Sequence, residues 1–169
     1  MASYEQLFEI GASFDAFVAT GLAPEVATVE RARNALGVKG LSPQTRQRLA
    51  AIKGRYYLLA AGEMWCPDCQ LNLAALDALC QAQPLVSLAV ITKARAEQAL
   101  RDRLALAKVS IPLVVVLDAE YKPIGLFIEQ PQAVLAGGAE VLSAYKAGDY
   151  LEATIGDVLS LIEDAQAPR

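Results

Sequence analysis

Two uncharged, apolar runs of strand length lie near the middle of this 169-residue chain. Residues 56–61 read Tyr-Tyr-Leu-Leu-Ala-Ala and residues 85–91 read Leu-Val-Ser-Leu-Ala-Val-Ile, which is typical of strands covered on both faces. Between them, residues 67–82 have the apolar spacing of a helix. Because a strand–helix–strand unit places its two strands parallel in one sheet, the sequence predicts an α/β fold.

Two further apolar runs extend the predicted sheet. Residues 94–107 have helical spacing, and the runs 112–117 and 123–128 that follow are separated by a polar turn at residues 118–122. That turn is short enough for an antiparallel hairpin. We therefore predict a central mixed sheet of about four strands flanked by helices, with one or two more helices after the hairpin.

The N-terminal part of the chain has helical spacing throughout. Apolar residues recur every three or four positions from Tyr4 to Val18, and two later prolines, Pro24 and Pro43, mark helix starts. We predict three helices in residues 1–52. They would form a helical extension packed on the same domain, and residues 53–169 would form the main α/β domain.

The charge balance excludes several classes of partner. The chain has 15 Lys and Arg against 19 Asp and Glu, a net charge of −4 and a sequence pI near 4.9, without the basic footprint of nucleic-acid binding. Its longest uncharged stretch, residues 78–92, is too short to span a bilayer, and residues 1–10 lack a signal-peptide pattern. We expect a soluble cytoplasmic protein, monomeric or weakly homodimeric, that binds neither nucleic acid nor membranes.

A dithiol motif, Trp65-Cys66-Pro67-Asp68-Cys69, follows the first predicted strand and opens the next helix. In a chain of this type, Cys-x-x-Cys at a strand–helix junction indicates a redox centre. Cys66 at the helix N-cap would face free N–H groups and the positive end of the helix dipole, which favour the thiolate nucleophile. Cys69 lies one turn later, about 5 to 6 Å away between Cα atoms, and is the predicted resolving thiol.

The chain contains no histidine, so catalytic Ser-His-Asp or Cys-His sets and imidazole-bound zinc are excluded. Cys66 must then be activated by the helix N-terminus and nearby charges. The remaining cysteine, Cys80, lies roughly 16 Å along the helix from Cys69 and is interpreted as a core residue. Two cysteines supply too few ligands for zinc unless a dimer shares a site, so we predict neither a metal nor a cofactor.

The order of strand, Trp-Cys-x-x-Cys, helix, strand, helix and hairpin resembles the thioredoxin superfamily over about residues 53–130. The resemblance implies a thioredoxin-like fold with Cys66 as an exposed nucleophile. It also implies that Trp65 forms a flat surface beside the disulfide, that Pro112 is a cis-proline, and that Ile111 offers its backbone to an extended substrate. Pro67 is grouped with these three as a substrate-binding residue.

The sequence departs from the usual family pattern between the cysteines and in the preceding strand. Pro67-Asp68 replaces Gly-Pro, which resembles the Trp-Cys-x-Asp-Cys type that carries an N-terminal helical extension. Many thioredoxins also bury an acid in the strand before the motif, whereas residues 56–61 contain none. Glu63 is the nearest acid, and we consider it either as the proton acceptor for the resolving thiol or as a solvated loop carboxylate.

Asp68 is expected to modulate the pKa of Cys66. An acid in the first turn stabilises the helix, but a charge about 6 Å from the Cys66 sulfur disfavours its thiolate by about half a pK unit. The expected result is a mildly activated thiol and a potential toward the reducing end of the family.

The sequence thus predicts a thiol-disulfide oxidoreductase that reduces protein or low-molecular-weight disulfides and is itself reduced by an upstream donor that the sequence does not identify. The alternative is a thioredoxin-like binding or redox-sensing module whose N-terminal helices dock a partner. The aromatic side chains Phe8, Phe14 and Phe17 fit packing within the fold more readily than a lid or dimer surface.

Overall fold

The computed structural model describes residues 1–168 and places a mixed four-stranded sheet at the centre of the molecule, between layers of helices. Four helices precede the sheet: α1 (Tyr4–Glu9), α2 (Phe14–Val18), α3 (Ala23–Lys39) and α4 (Pro43–Ala50). The central elements are β1 (Tyr56–Gly62), α5 (Pro67–Ala82), β2 (Val86–Thr92), α6 (Lys93–Leu104), β3 (Leu113–Leu117) and β4 (Pro123–Ile128). After them come α7 (Gln132–Gly137), a 3₁₀ turn (Gly138–Val141), α8 (Leu142–Lys146) and α9 (Leu151–Gln166).

The strand order is β2-β1-β3-β4. β1 pairs parallel with β2 and antiparallel with β3, and β3 and β4 form the predicted antiparallel hairpin. β1 and β3 are buried almost throughout, as expected for central strands covered on both faces. The predicted α/β fold, with a mixed sheet of four strands flanked by helices, is confirmed.

Helices cover both faces of the sheet. Gly62 of β1 lies against Leu73 and Cys69 of α5, whereas Tyr57, at the opposite parity of the same strand, contacts Phe8 of α1 with ring centroids 5.0 Å apart. α9 packs against α5 and β4, and α6 packs against β1 and β2. Within residues 1–168, no helix is both long enough and apolar enough to cross a bilayer.

The single helix predicted from Tyr4 to Val18 is wrong: the structure has two short helices, so four helices precede the sheet and not three. Between α1 and α2, Ala12 pairs with Val90 of β2 through two backbone hydrogen bonds, Ala12 N–H to Val90 O (2.8 Å) and Val90 N–H to Ala12 O (2.9 Å). The Ser13 side chain then caps α2 by accepting from Ala16 N–H. Pairing with the edge of the sheet therefore overrides a continuous helical pattern.

The N-terminal helices share the core of the sheet. Phe14, Phe17 and Leu49 are buried in one continuous cluster with the strands, and α3 packs along α5. The Arg33 guanidinium lies 4.8 Å from the centre of the Phe14 ring. The phenylalanines of this region thus pack within the fold.

Candidate active site

The two motif cysteines lie where β1 ends and α5 begins. Cys66 is the N-cap of α5, and its Sγ accepts a hydrogen bond from Cys69 N–H (3.4 Å). The Cys66 thiol also lies 3.8 Å from the Ile111 carbonyl oxygen, which accepts from it. Cys66 is only 6% exposed, so the expectation of an exposed nucleophile is wrong for this residue as a whole. Both cysteines are free thiols.

The environments of these two thiols move their pKa values in opposite directions. A hydrogen bond from the Cys69 thiol is the main cause that lowers the pKa of Cys66 to about 7; burial and the Asp68 charge oppose this effect. The same hydrogen bond, together with burial, raises the pKa of Cys69 far above its usual range. Chemically, Cys66 is therefore the sulfur that ionises first, and Cys69 holds its proton.

The third cysteine lies apart from this pair. Cys80 is half-buried near the end of α5, and burial raises its pKa to about 12. Its thiol is therefore un-ionised at neutral pH.

Of the residues assigned to substrate binding by resemblance, Ile111 contacts the Cys66 sulfur through its carbonyl oxygen, and Trp65 and Pro67 flank Cys66 in the chain. The Ile111–Pro112 peptide bond is cis, and the Pro112 carbonyl accepts a hydrogen bond from Glu129 N–H (2.8 Å). Trp65 is 63% exposed, and Pro67 at the first position of α5 is exposed as well. The structure thus brings together a buried sulfur, a backbone carbonyl that contacts it and two exposed flanking side chains.

Two glycines make close approaches around the motif. A Cβ on Gly62 would lie 3.3 Å from Cys69 Sγ, so the missing side chain at the end of β1 leaves room for the Cys69 sulfur. A Cβ on Gly21, in the loop between α2 and α3, would lie 2.6 Å from the Met64 side chain. Met64 is buried beside the motif, and its carbonyl accepts from Gln70 Nε2 (2.6 Å). The loop between α2 and α3 thus packs against Met64, two residues before Cys66.

Glu63 is engaged on two sides. Its carboxylate accepts a hydrogen bond from the backbone N–H of Lys93 (3.0 Å), the first residue of α6. Glu63 thus caps this helix, because the side chain of the N-cap residue Thr92 makes no capping hydrogen bond. Its carbonyl accepts from Cys66 N–H (3.2 Å). The structure thus places the Glu63 carboxylate at the start of α6, and its role as a proton acceptor stays a prediction.

Asp68 takes part in a buried polar network that the sequence did not indicate. Its carboxylate accepts from the Tyr145 hydroxyl (2.5 Å) and from Gln130 Nε2 (3.3 Å). Tyr145 belongs to α8 and is buried. Burial raises the pKa of Tyr145 well above its usual range, and the hydrogen bond to Asp68 and the charge of that carboxylate raise it further. The phenol is therefore neutral and serves Asp68 as a hydrogen-bond donor.

Asn72 joins this network to the rest of the site. Its Nδ2 lies within hydrogen-bond distance of three oxygens, those of the Asp68 carbonyl (2.8 Å), the Glu129 carbonyl (3.0 Å) and the Tyr145 hydroxyl (2.8 Å). Its Oδ1 accepts from the Thr154 hydroxyl of α9 (2.6 Å). The local signal for Asn72 was a polar side chain four residues after Asp68, among the apolar residues Leu71, Leu73 and Ala74. Tyr145 and Thr154 carried none, because both lie more than 70 residues away.

Residues 1–168 contain no group of three or more Cys, Asp or Glu side chains placed to hold a metal ion. The site residues include two neighbouring thiols, Cys66 and Cys69, which differ in acidity; the Cys66 thiol lies at the N-terminus of α5.

Comparison with known proteins gives a family and two close structural matches. A family model described as thioredoxin matches residues 11–142, a match that begins inside the predicted N-terminal extension. A crystal structure of a protein of unknown function from Pseudomonas aeruginosa is 58% identical, with a TM-score of 0.96, over 98% of this chain and 99% of that one. An HIV epitope-scaffold is 55% identical, with a TM-score of 0.94, over 96% and 99%. No curated protein matches the chain.

Proposed function

This chain belongs to the thioredoxin family, and from that premise we propose that it is a thiol-disulfide oxidoreductase whose Cys66 and Cys69 cycle between dithiol and disulfide. One observation carries the proposal: the Cys66 sulfur lies at the N-terminus of α5, accepts a hydrogen bond from Cys69 N–H and has a pKa lowered to about 7. A thiol of that acidity is substantially ionised at neutral pH and able to attack a disulfide.

The proposed reaction has two displacements. The Cys66 thiolate attacks one sulfur of a substrate disulfide, which forms a mixed disulfide and releases the other substrate sulfur as a thiolate. Cys69 then loses its proton, which the first released substrate thiolate takes up, and attacks Cys66 Sγ; this step forms the Cys66–Cys69 disulfide and releases the second substrate thiolate. The two electrons that reduce the substrate come from the protein dithiol. An upstream reductant returns the protein to its starting state.

The substrate would bind across the cis Ile111–Pro112 bond. The Ile111 carbonyl already lies beside Cys66 Sγ, and the exposed Trp65 and Pro67 offer apolar surface on the approach to the sulfur. We propose disulfide-containing proteins or low-molecular-weight disulfides as substrates. A cytoplasmic location would suit a chain with three free thiols.

We also propose that the protein is of the Trp-Cys-x-Asp-Cys type, with residues 1–52 as a helical extension and residues 53–169 as the thioredoxin-like domain. The packing of α3 along α5 and the close approach of Gly21 to Met64 support this arrangement. The extension would then serve the site as a supporting layer.

Reduction of insulin disulfides or of glutathione disulfide, with a dithiol reductant in excess, tests the proposed activity. We expect turnover by the natural sequence and by Cys80→Ser, and loss of turnover to background in both Cys66→Ser and Cys69→Ser. Cys80→Ser is the matched control, because it removes a thiol from the same helix outside the pair. Turnover that survives in either motif variant would contradict the proposal. An inactive natural sequence would favour a binding or redox-sensing module.

A further inference from the structure

A one-way chain of hydrogen bonds ends at the Asp68 carboxylate. A carboxylate can only accept, so the Tyr145 hydroxyl must donate its proton to Asp68 Oδ1, 2.5 Å away. The hydroxyl oxygen is then free to accept from Asn72 Nδ2 (2.8 Å). The direction of both bonds is fixed by the chemistry of the two end groups.

The orientation of the Asn72 amide is fixed in the same way. Its Nδ2 faces two backbone carbonyls, those of Asp68 and Glu129, which accept hydrogen bonds and cannot donate them. Its Oδ1 therefore faces Thr154, whose hydroxyl donates to it (2.6 Å). Asn72 is 1% exposed and Thr154 is completely buried, so water does not compete for these bonds.

We propose that Tyr145 is a positioning residue of the dithiol, which holds the Asp68 carboxylate in one place beside Cys66 and thereby controls the reactivity of the Cys66 sulfur. The inference rests on the proposed function of the cysteine pair. It assigns a part in that function to the segment between β4 and α9, to which no motif in the sequence points.

The physical link from Asp68 to Cys66 is electrostatic. The Asp68 charge raises the pKa of Cys66, and it acts on Cys69 in the same direction. The titratable groups that face this carboxylate are the two thiols on α5 and the Tyr145 phenol on α8. Without the phenol oxygen, Asp68 would keep only Gln130 at 3.3 Å as a side-chain partner. Its carboxylate could then turn toward water, where its effect on the sulfur is screened.

The test is a titration of the Cys66 thiolate, followed by its ultraviolet absorbance, in the reduced full chain. Four proteins form a double-mutant cycle: the natural sequence, Asp68→Asn, Tyr145→Phe and the double variant. We expect Asp68→Asn to lower the midpoint by about half a unit. Tyr145→Phe should lower the midpoint by about 0.3 unit in the natural background, because the Asp68 charge is then better screened. In the Asp68→Asn background it should change the midpoint by less than about 0.1 unit.

The matched control is Tyr56→Phe, which removes the phenol oxygen of a buried tyrosine at the first residue of β1, the end of the strand away from the dithiol, and should leave the midpoint unchanged. An equal shift by Tyr145→Phe in both backgrounds, or no shift in either, would overturn the inference. If Tyr145→Phe does not fold, Thr154→Val replaces it in the same cycle, with the same expectation. The titration needs no substrate, so loss of disulfide turnover alongside a non-additive shift would count against the proposed function alone.

Discussion

Cys66 and Cys69 are separated by one helical turn, yet their surroundings give them different chemistry. Cys66 accepts hydrogen bonds at the start of α5, whereas Cys69 lies against Gly62 in the core. The sequence predicted this difference in environment, because the N-cap position and the helical spacing are local properties. It could not show how far Cys66 is buried, since the Ile111 carbonyl that covers its sulfur comes from 45 residues away.

The pKa of about 7 predicts a selective alkylation of the reduced protein. Below pH 7 Cys66 is mostly protonated and should react slowly with iodoacetamide. The rate should rise about tenfold per pH unit as the pH approaches the pKa, because the thiolate fraction rises in the same way. Above pH 7 the thiolate predominates, so the rate should level off. One thiol per chain should be modified, since the pKa values of Cys69 and Cys80 are raised. Peptide mapping identifies the site; a midpoint near pH 9, or modification chiefly at Cys69, would contradict the prediction.

Regular elements were predictable wherever one local pattern decides the structure. The helix predicted at residues 67–82 has those bounds in the structure, and the four strands lie within about a residue of their predicted ends. The first helix failed because Ala12 pairs with Val90, a partner that no local pattern reveals. The hydrogen bonds that Asn72 makes with Tyr145 and Thr154 could not be predicted for the same reason, since both partners are distant in the chain.

Gly11 makes the close approach on which the pairing of Ala12 with Val90 depends. A Cβ at residue 11 would lie 2.9 Å from the Ala89 Cβ and 3.2 Å from the Phe8 carbonyl oxygen, neither of which can rotate away. We expect Gly11→Ala to lower the free energy of unfolding by about 1 to 3 kcal/mol, measured by urea denaturation. Gly37→Ala is the control: its Cβ would meet no atom within 4 Å, and in a helix it should be neutral or slightly stabilising. Equal stability of the two variants would contradict this interpretation.

On the scale of the whole molecule, charged groups join the N-terminal helices to the sheet domain. Arg33 of α3 forms ion pairs with Asp15 of α2 (2.6 Å), with Glu30 of its own helix (3.1 Å) and with Asp77 of α5 (3.6 Å). At the other side, Arg48 of α4 pairs with Glu163 of α9 (2.6 Å). An exposed ion pair of this kind contributes little to stability. Asp77 is mostly buried, so the loss of its partner Arg33 should cost more stability.

Replacement of Arg33 by Met keeps most of the volume and removes the charge that faces Asp77. Burial raises the pKa of Asp77, and Arg33 opposes that rise; without Arg33 the folded-state pKa should rise further. A carboxyl group whose pKa is raised on folding destabilises the protein above that pKa and ceases to do so once it is protonated. We therefore expect Arg33→Met to lower the free energy of unfolding by about 1 to 2 kcal/mol at pH 7, and by clearly less near pH 4.

Urea denaturation at the two pH values measures this difference, and Arg31→Met is the control because Arg31 is exposed on the same helix, where it bonds to Thr28. If residues 1–52 pack as one body with the sheet, unfolding of Arg33→Met should remain a single transition followed equally by Trp65 fluorescence and by helical circular dichroism. Two separate transitions would mean that the N-terminal helices unfold independently of the sheet domain. A pH-independent loss of stability would instead assign the effect of Arg33 to its packing over Phe14.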